Sequence, residues 1–81
     1  MSGKKKAKIL VIEDDPIAIA ILTSRLKAKN YHVIVADTGE EGIKLAHQQS
    51  PDLILMDMVL PGMHGLEATI RIKNDPKTKE I

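Results

Sequence analysis

Ile9-Leu10-Val11-Ile12-Glu13-Asp14-Asp15-Pro16 decides how this 81-residue chain is read. Four branched apolar residues run without alternation and stop at three acids and a proline. A short apolar run of this kind reads as a strand buried on both faces, the habit of parallel sheets covered by helices. Pro16 suits a first helical turn, with Asp14 or Asp15 available as its cap. The same grammar recurs twice downstream. His32-Val33-Ile34-Val35-Ala36 ends at Asp37, and Leu53-Ile54-Leu55-Met56 ends at Asp57.

The segments between these runs read as helices. Residues 16 to 29 carry Ile17, Ile19, Ile21, Leu22 and Leu26. Thr38-Gly39-Glu40-Glu41 matches a capping box ahead of Ile43, Leu45 and Ala46, and Ser50-Pro51 stops that helix. A third helix starts near Gly65, carries Leu66, Ile70 and Ile72, and closes at Asn74-Asp75-Pro76. The order β-α-β-α-β-α implies parallel strands joined by right-handed crossovers. Lys77 to Ile81 reads as the approach to a fourth strand.

Composition narrows the classes. The length suits one small domain with a modest core. No apolar run approaches the roughly 18 residues of a membrane span. The four apolar residues after the basic N-terminus are too few for a signal peptide. The absence of cysteine excludes disulfides and thiolate metal sites. A single aromatic, Tyr31, argues against base-stacking recognition of single strands. Lys4, Lys5, Lys6 and Lys8 are four of the twelve basic residues, which leaves eight against eleven acids from Ile9 onward. Residues 1–8 therefore read as a basic, disordered leader on a mildly acidic body.

In an open parallel sheet, sites form outside the carboxyl ends of the strands. Glu13 and Asp14 end the first strand and Asp57 ends the third. If those strands are neighbours, three carboxylates converge, and they repel one another unless something neutralises them. A hard divalent cation such as Mg2+, which takes oxygen ligands, does so.

The loop Asp57-Met58-Val59-Leu60-Pro61-Gly62-Met63-His64-Gly65, together with Val11-Ile12-Glu13-Asp14-Asp15-Pro16, resembles the receiver domain of two-component response regulators. The resemblance includes Thr38-Gly39-Glu40-Glu41, Pro51 to Met56 and Lys73-Asn74-Asp75-Pro76, and it defines a domain over residues 9–81. It implies a flavodoxin-like α/β sheet of strand order 2-1-3, read as a truncated (βα)3 unit. It implies that Asp57 accepts a phosphoryl group, that Asp14 ligates Mg2+ directly, and that Glu13 reaches the metal through water. The remaining protein ligand it implies is the carbonyl of Val59. The implied partner is a histidine kinase or histidine phosphotransfer protein, in the cytoplasm, with no direct binding of nucleic acid or membrane. His64 stands where the family often has Asp. Complete members add two βα units carrying a Ser or Thr and a Lys that contact the phosphoryl group. Without them, phosphorylation is expected to be slow, and the chain is a phosphoacceptor rather than an enzyme.

Other patterns carry less. Gly39, Gly42 and Lys44 lack the spacing of a nucleotide-binding loop. His32, His47 and His64 fall on a strand, a helix and a loop, and do not read as a metal site. Met56, Met58 and Met63 read as packing. In the first helix the apolar arc is about 200° wide, and Ile19 at its far edge is expected to be exposed, as part of a contact surface. In the order 2-1-3 the third strand is an edge, apolar on both faces, and such edges recruit another strand. A homodimer through antiparallel pairing of two third strands is therefore expected. The alternative function is a non-catalytic half-domain that serves self-assembly.

Overall fold

A computed structural model describes residues 6–81. The elements are β1 (Lys8–Ile12), α1 (Pro16–Ala28), β2 (His32–Ala36), α2 (Gly39–Gln49), β3 (Leu53–Met56) and α3 (Gly65–Asn74). The three strands are parallel in the order β2-β1-β3, a doubly wound, flavodoxin-like sheet. Lys8 pairs with His32 and Ile12 with Ala36 on one side, and Ile9 with Leu53 and Ile12 with Met56 on the other.

β1 is central, which is why its four apolar residues need no alternation. Ile9, Leu10, Val11 and Ile12 are all buried. Each such side chain contributes roughly 1.5–3 kcal/mol of transfer free energy. Leu10 and Ile12 pack with Ala36, Ala46, Leu60 and Ile72 into a core roofed by α2 and α3. α1 lies on the opposite face, mainly against β2.

Local chemistry sets the helix ends. Asp15, rather than Asp14, caps α1: its Oδ1 accepts the Ile17 N–H at 3.1 Å, with Pro16 in the first turn. Thr38 Oγ1 accepts the Glu41 N–H at 3.1 Å, and Glu40 and Glu41 face the positive end of the α2 dipole. Ser50, with φ 48°, ends α2 in the left-handed region, directly before Pro51.

Three expectations are corrected. In α1, Ile19 is half-buried while Ile17 is 70 % and Ile21 49 % exposed. The helix packs mainly against β2, with Ile19, Leu22 and Leu26 half-buried and residues 17 and 21 turned outward. Lys8, assigned to the leader, is the first residue of β1, and the Ala7 carbonyl accepts the His32 N–H at 2.9 Å. Residues 1–5 of the expected disordered leader lie outside the described residues. Lys77 to Ile81 is not extended. Residues 76–80 form turns folded back on the end of α3. The buried Thr78 hydroxyl donates to Ile72 O at 2.7 Å, and Lys73 Nζ donates to Lys79 O at 3.0 Å and to Ile81 O. Pro76 cannot continue α3, and these three bonds, with the Asp75 N–H that also donates to Ile72 O, tie the turn to the end of the helix.

Candidate functional site

β1 and β3 are neighbours, so their carboxyl ends bring Glu13, Asp14 and Asp57 to one place. One carboxylate oxygen from each lies within 4.8 Å of the others. Glu13 and Asp57 are half-buried and Asp14 is exposed. The last rungs of the sheet fix this placement. Asp57 N–H donates to Ile12 O at 2.9 Å, and Glu13 N–H donates to Ala36 O at 3.0 Å. The carboxylates then organise their own loops. Glu13 Oε2 accepts the Asp15 N–H at 3.1 Å, immediately before α1 begins. Asp57 Oδ1 accepts the Val59 N–H, also at 3.1 Å. Val59, the fourth expected site residue, is thus tied to Asp57 through its N–H, and its side chain is 75 % exposed.

No cationic side chain forms an ion pair with any of the three acids among the described residues. Three like charges held this close leave a strong local preference for a cation. The donor set is all oxygen, which suits a hard ion of Mg2+ size. The N-terminus of α1 follows directly after the acids and places partial positive charge beside them.

Two features of the site escaped sequence reasoning. Gly65 opens α3 against the backbone of the acidic loop: its N–H donates to Met58 O at 3.1 Å. A Cβ at Gly65 would collide with the Asp57 carbonyl oxygen and lie 2.7 Å from Met58 Cα. The signal was present in the loop's Gly65, but only the approach of α3 explains it. The second feature is an apolar cleft of about 260 Å³ that runs from Glu13 and Asp57 between Leu22 of α1 and Leu55 of β3. The three histidines stay apart on β2, on α2 and at the N-cap of α3, as expected. Met56 and Met63 pack inward, while Met58 is half-exposed on the loop.

This geometry has known counterparts. The model of the response regulator receiver domain matches residues 9–81. Protein PilH of Pseudomonas aeruginosa is 39 % identical over 75 residues, covering 93 % of this chain and 62 % of PilH. A crystal structure of the receiver domain of a sensor histidine kinase from Pseudomonas aeruginosa PAO1 superposes with TM-score 0.88 at 29 % identity. The match covers 93 % of this chain and 62 % of that one, which holds a magnesium ion coordinated in its active site cleft. The receiver domain of a Saccharomyces cerevisiae response regulator, co-crystallised with its histidine phosphotransfer protein, superposes with TM-score 0.81 at 33 % identity over 85 % of this chain and 48 % of that one. The chain thus spans less than two thirds of the length of each. Its β2-β1-β3 sheet, its acids at the ends of β1 and β3, and the match from residue 9 onward agree: the chain belongs to the response regulator receiver domains of two-component signalling.

Proposed function

We propose that this chain is a phosphoacceptor in which Asp57 takes a phosphoryl group from a phosphohistidine. The observation that carries this reading is the convergence of the Glu13, Asp14 and Asp57 carboxylates within 4.8 Å. An Asp57 carboxylate oxygen attacks the phosphorus, the bond from phosphorus to the donor imidazole nitrogen breaks, and an acyl phosphate forms. Glu13, Asp14 and Asp57 would hold Mg2+ together with the Val59 carbonyl. Bound there, the ion would screen the negative charge that otherwise keeps an anionic phosphoryl group away. The hydrogen bond from Val59 N–H to Asp57 Oδ1 holds the Asp57 carboxylate in place at the end of β3.

The partner is a cytoplasmic histidine kinase or histidine phosphotransfer protein rather than nucleic acid. Exposed Ile17 at the start of α1 and exposed Met58 and Val59 on the loop supply an apolar rim beside the acids for its helices. The test is labelling with a small acyl phosphodonor in the presence of Mg2+, read by mass spectrometry. Labelling of Asp57, lost in Asp57→Asn and in EDTA, is expected. Labelling that persists in Asp57→Asn, or none from either a small donor or a phosphohistidine protein, overturns the reading. In parallel, Asp14→Ala weakens Mg2+ binding by calorimetry, and equal affinity in both proteins refutes the metal site.

A second reading rests on the outer edge of β3, which pairs with no strand among the described residues. Leu53 is 49 % exposed there, and a cavity of about 120 Å³ bounded by Ile54, Met56, Ile72 and Ile81 runs beside it. Antiparallel pairing of two β3 edges would give a six-stranded homodimer, 2-1-3-3′-1′-2′. A dimer by sedimentation at micromolar concentration supports it, and a well-folded monomer refutes it. Asp57→Asn leaves this association intact, so the two readings fail separately.

A further inference from the structure

The acids gather at the carboxyl edge of the sheet; the opposite edge has the reverse character. A cavity of about 590 Å³ opens there, lined by Lys6, Lys8, Lys27, Tyr31, His32 and Val33. Its cations come from two separate segments, the lead into β1 and the last turn of α1. No acidic residue among the described residues lines it. Asp52, directly before β3, lines the adjoining cavity and is engaged through Oδ2 by the Lys8 N–H at 2.7 Å. Lys8 Nζ is tethered to Gln49 O at 2.9 Å, which uses one of its three donors.

A helix C-terminus attracts basic residues by itself, and that accounts for Lys27 beside Arg25. It does not account for Lys6 and Lys8, which belong to another segment. Like charges brought to one concavity repel, and a bound anion relieves that repulsion. The acids at the far edge do not supply it, and Asp52, which shares Lys6 and Lys8 in the adjoining cavity, offsets one of the three charges and leaves the Lys27 side unpartnered among the described residues. A five-residue strand spans roughly 16 Å, about twice the Debye length at physiological salt. The two ends of the sheet therefore act as independent electrostatic sites of opposite sign.

We infer that this cavity at the amino ends of β1 and β2 binds a small polyanion carrying adjacent phosphate groups. Lys6 and Lys27 bracket the phosphate chain from opposite sides, Lys8 closes the end toward α2, and the His32 imidazole and Tyr31 hydroxyl offer further donors. The concavity is open to solvent, and cations supplied by two separate segments along it suit an extended polyanion better than a single small anion. The inference is independent of phosphoryl transfer, because it uses none of the residues at the carboxyl edge.

The test titrates the whole chain with inorganic tripolyphosphate, at constant ionic strength and in EDTA, followed by amide NMR shifts. Saturable shifts at Tyr31, His32 and Val33 are expected, with none at Glu13, Asp14 or Asp57. Lys27→Glu and Lys6→Glu each reverse one charge at the site and weaken binding about tenfold or more, whereas Asp57→Asn leaves it unchanged. Both lysines are exposed, and two variants on different segments keep the test valid if one misfolds. A nucleoside triphosphate that binds as tightly as tripolyphosphate identifies the phosphate chain as the recognised group. Binding of the nucleotide without binding of tripolyphosphate overturns that assignment. Non-saturating shifts equal to those from matched sodium chloride, or binding indifferent to both lysine variants, overturn the site.

Discussion

Gly65→Ala perturbs the acidic site without removing any of its carboxylates. The added Cβ would meet the Asp57 carbonyl oxygen and stand 2.7 Å from Met58 Cα and 3.0 Å from the Asp57 carbonyl carbon. All three are backbone atoms, so no side chain can swing aside. α3 must move out, or the loop after β3 must deform. Overpacking of this kind costs about 1–3 kcal/mol. The movement also stretches the Gly65 N–H bond to Met58 O, now 3.1 Å, whose loss costs about 1 kcal/mol. Alanine returns at most about 1 kcal/mol through helix propensity. The net expectation is destabilisation by about 1–4 kcal/mol, in a domain whose total stability should be roughly 4–12 kcal/mol at this length. Gly62→Ala is the natural comparison. Its φ is +77°, but only the Glu40 carboxylate approaches, at 3.6 Å. That substitution should cost about 1–2 kcal/mol of backbone strain with no collision. Urea unfolding followed by circular dichroism measures both. Because Gly65→Ala presses on the residue that carries the Asp57 carboxylate, Mg2+ affinity should fall about tenfold as well. A Gly65→Ala protein within about 0.5 kcal/mol of the parent would refute the close approach of α3 to the loop.

Other perturbations reach the remaining parts of the molecule. Thr78→Val removes the buried hydroxyl that donates to Ile72 O and should cost about 1–2 kcal/mol in urea unfolding, with no change in Mg2+ affinity. Asp57→Asn removes one of three crowded charges. The metal-free protein should therefore be equally or more stable than the parent, while its thermal midpoint stops responding to Mg2+. In the parent, Mg2+ at ten times its dissociation constant should add about 1.4 kcal/mol by mass action, read as a rise in melting temperature. Raising sodium chloride should stabilise the metal-free parent more than Asp57→Asn, because screening relieves the repulsion among the acids. Equal salt responses would show that the three carboxylates do not interact.

The strand at Ile9 to Ile12 and its acidic stop were legible because burial on both faces permits no alternation, and such a run is seldom tolerated elsewhere in a fold. The cap at Thr38 was legible for a similar reason, and that of α1 was narrowed to Asp14 or Asp15: capping is a contact between residues two or three apart. The acids were equally plain in the chain, and the position of Asp57 at a strand end was already a statement about the sheet edge. What the chain could not state by itself is which long-range neighbours each element finds. Ile17 and Ile19 are alike in sequence, yet only the seating of α1 on β2 turned the first outward and the second inward. Lys77 to Ile81 was read as extended, yet Asp75 turns it locally: Asp75 Oδ1 accepts the Lys77 N–H at 3.0 Å and its carbonyl accepts from Thr78 and Lys79. The Thr78 hydroxyl, reaching back to Ile72 O, and Lys73, reaching forward from α3 to Lys79 O, hold the turn against the helix. Gly65 was visible as a loop glycine, but its need arises from the backbone of Asp57 and Met58, brought against it by the packing of α3. Periodicity and capping act over a few residues and are written in the chain. Which side chain faces solvent, and where two backbones touch, depends on surfaces that exist only once β1 has gathered β2, β3 and their helices around it.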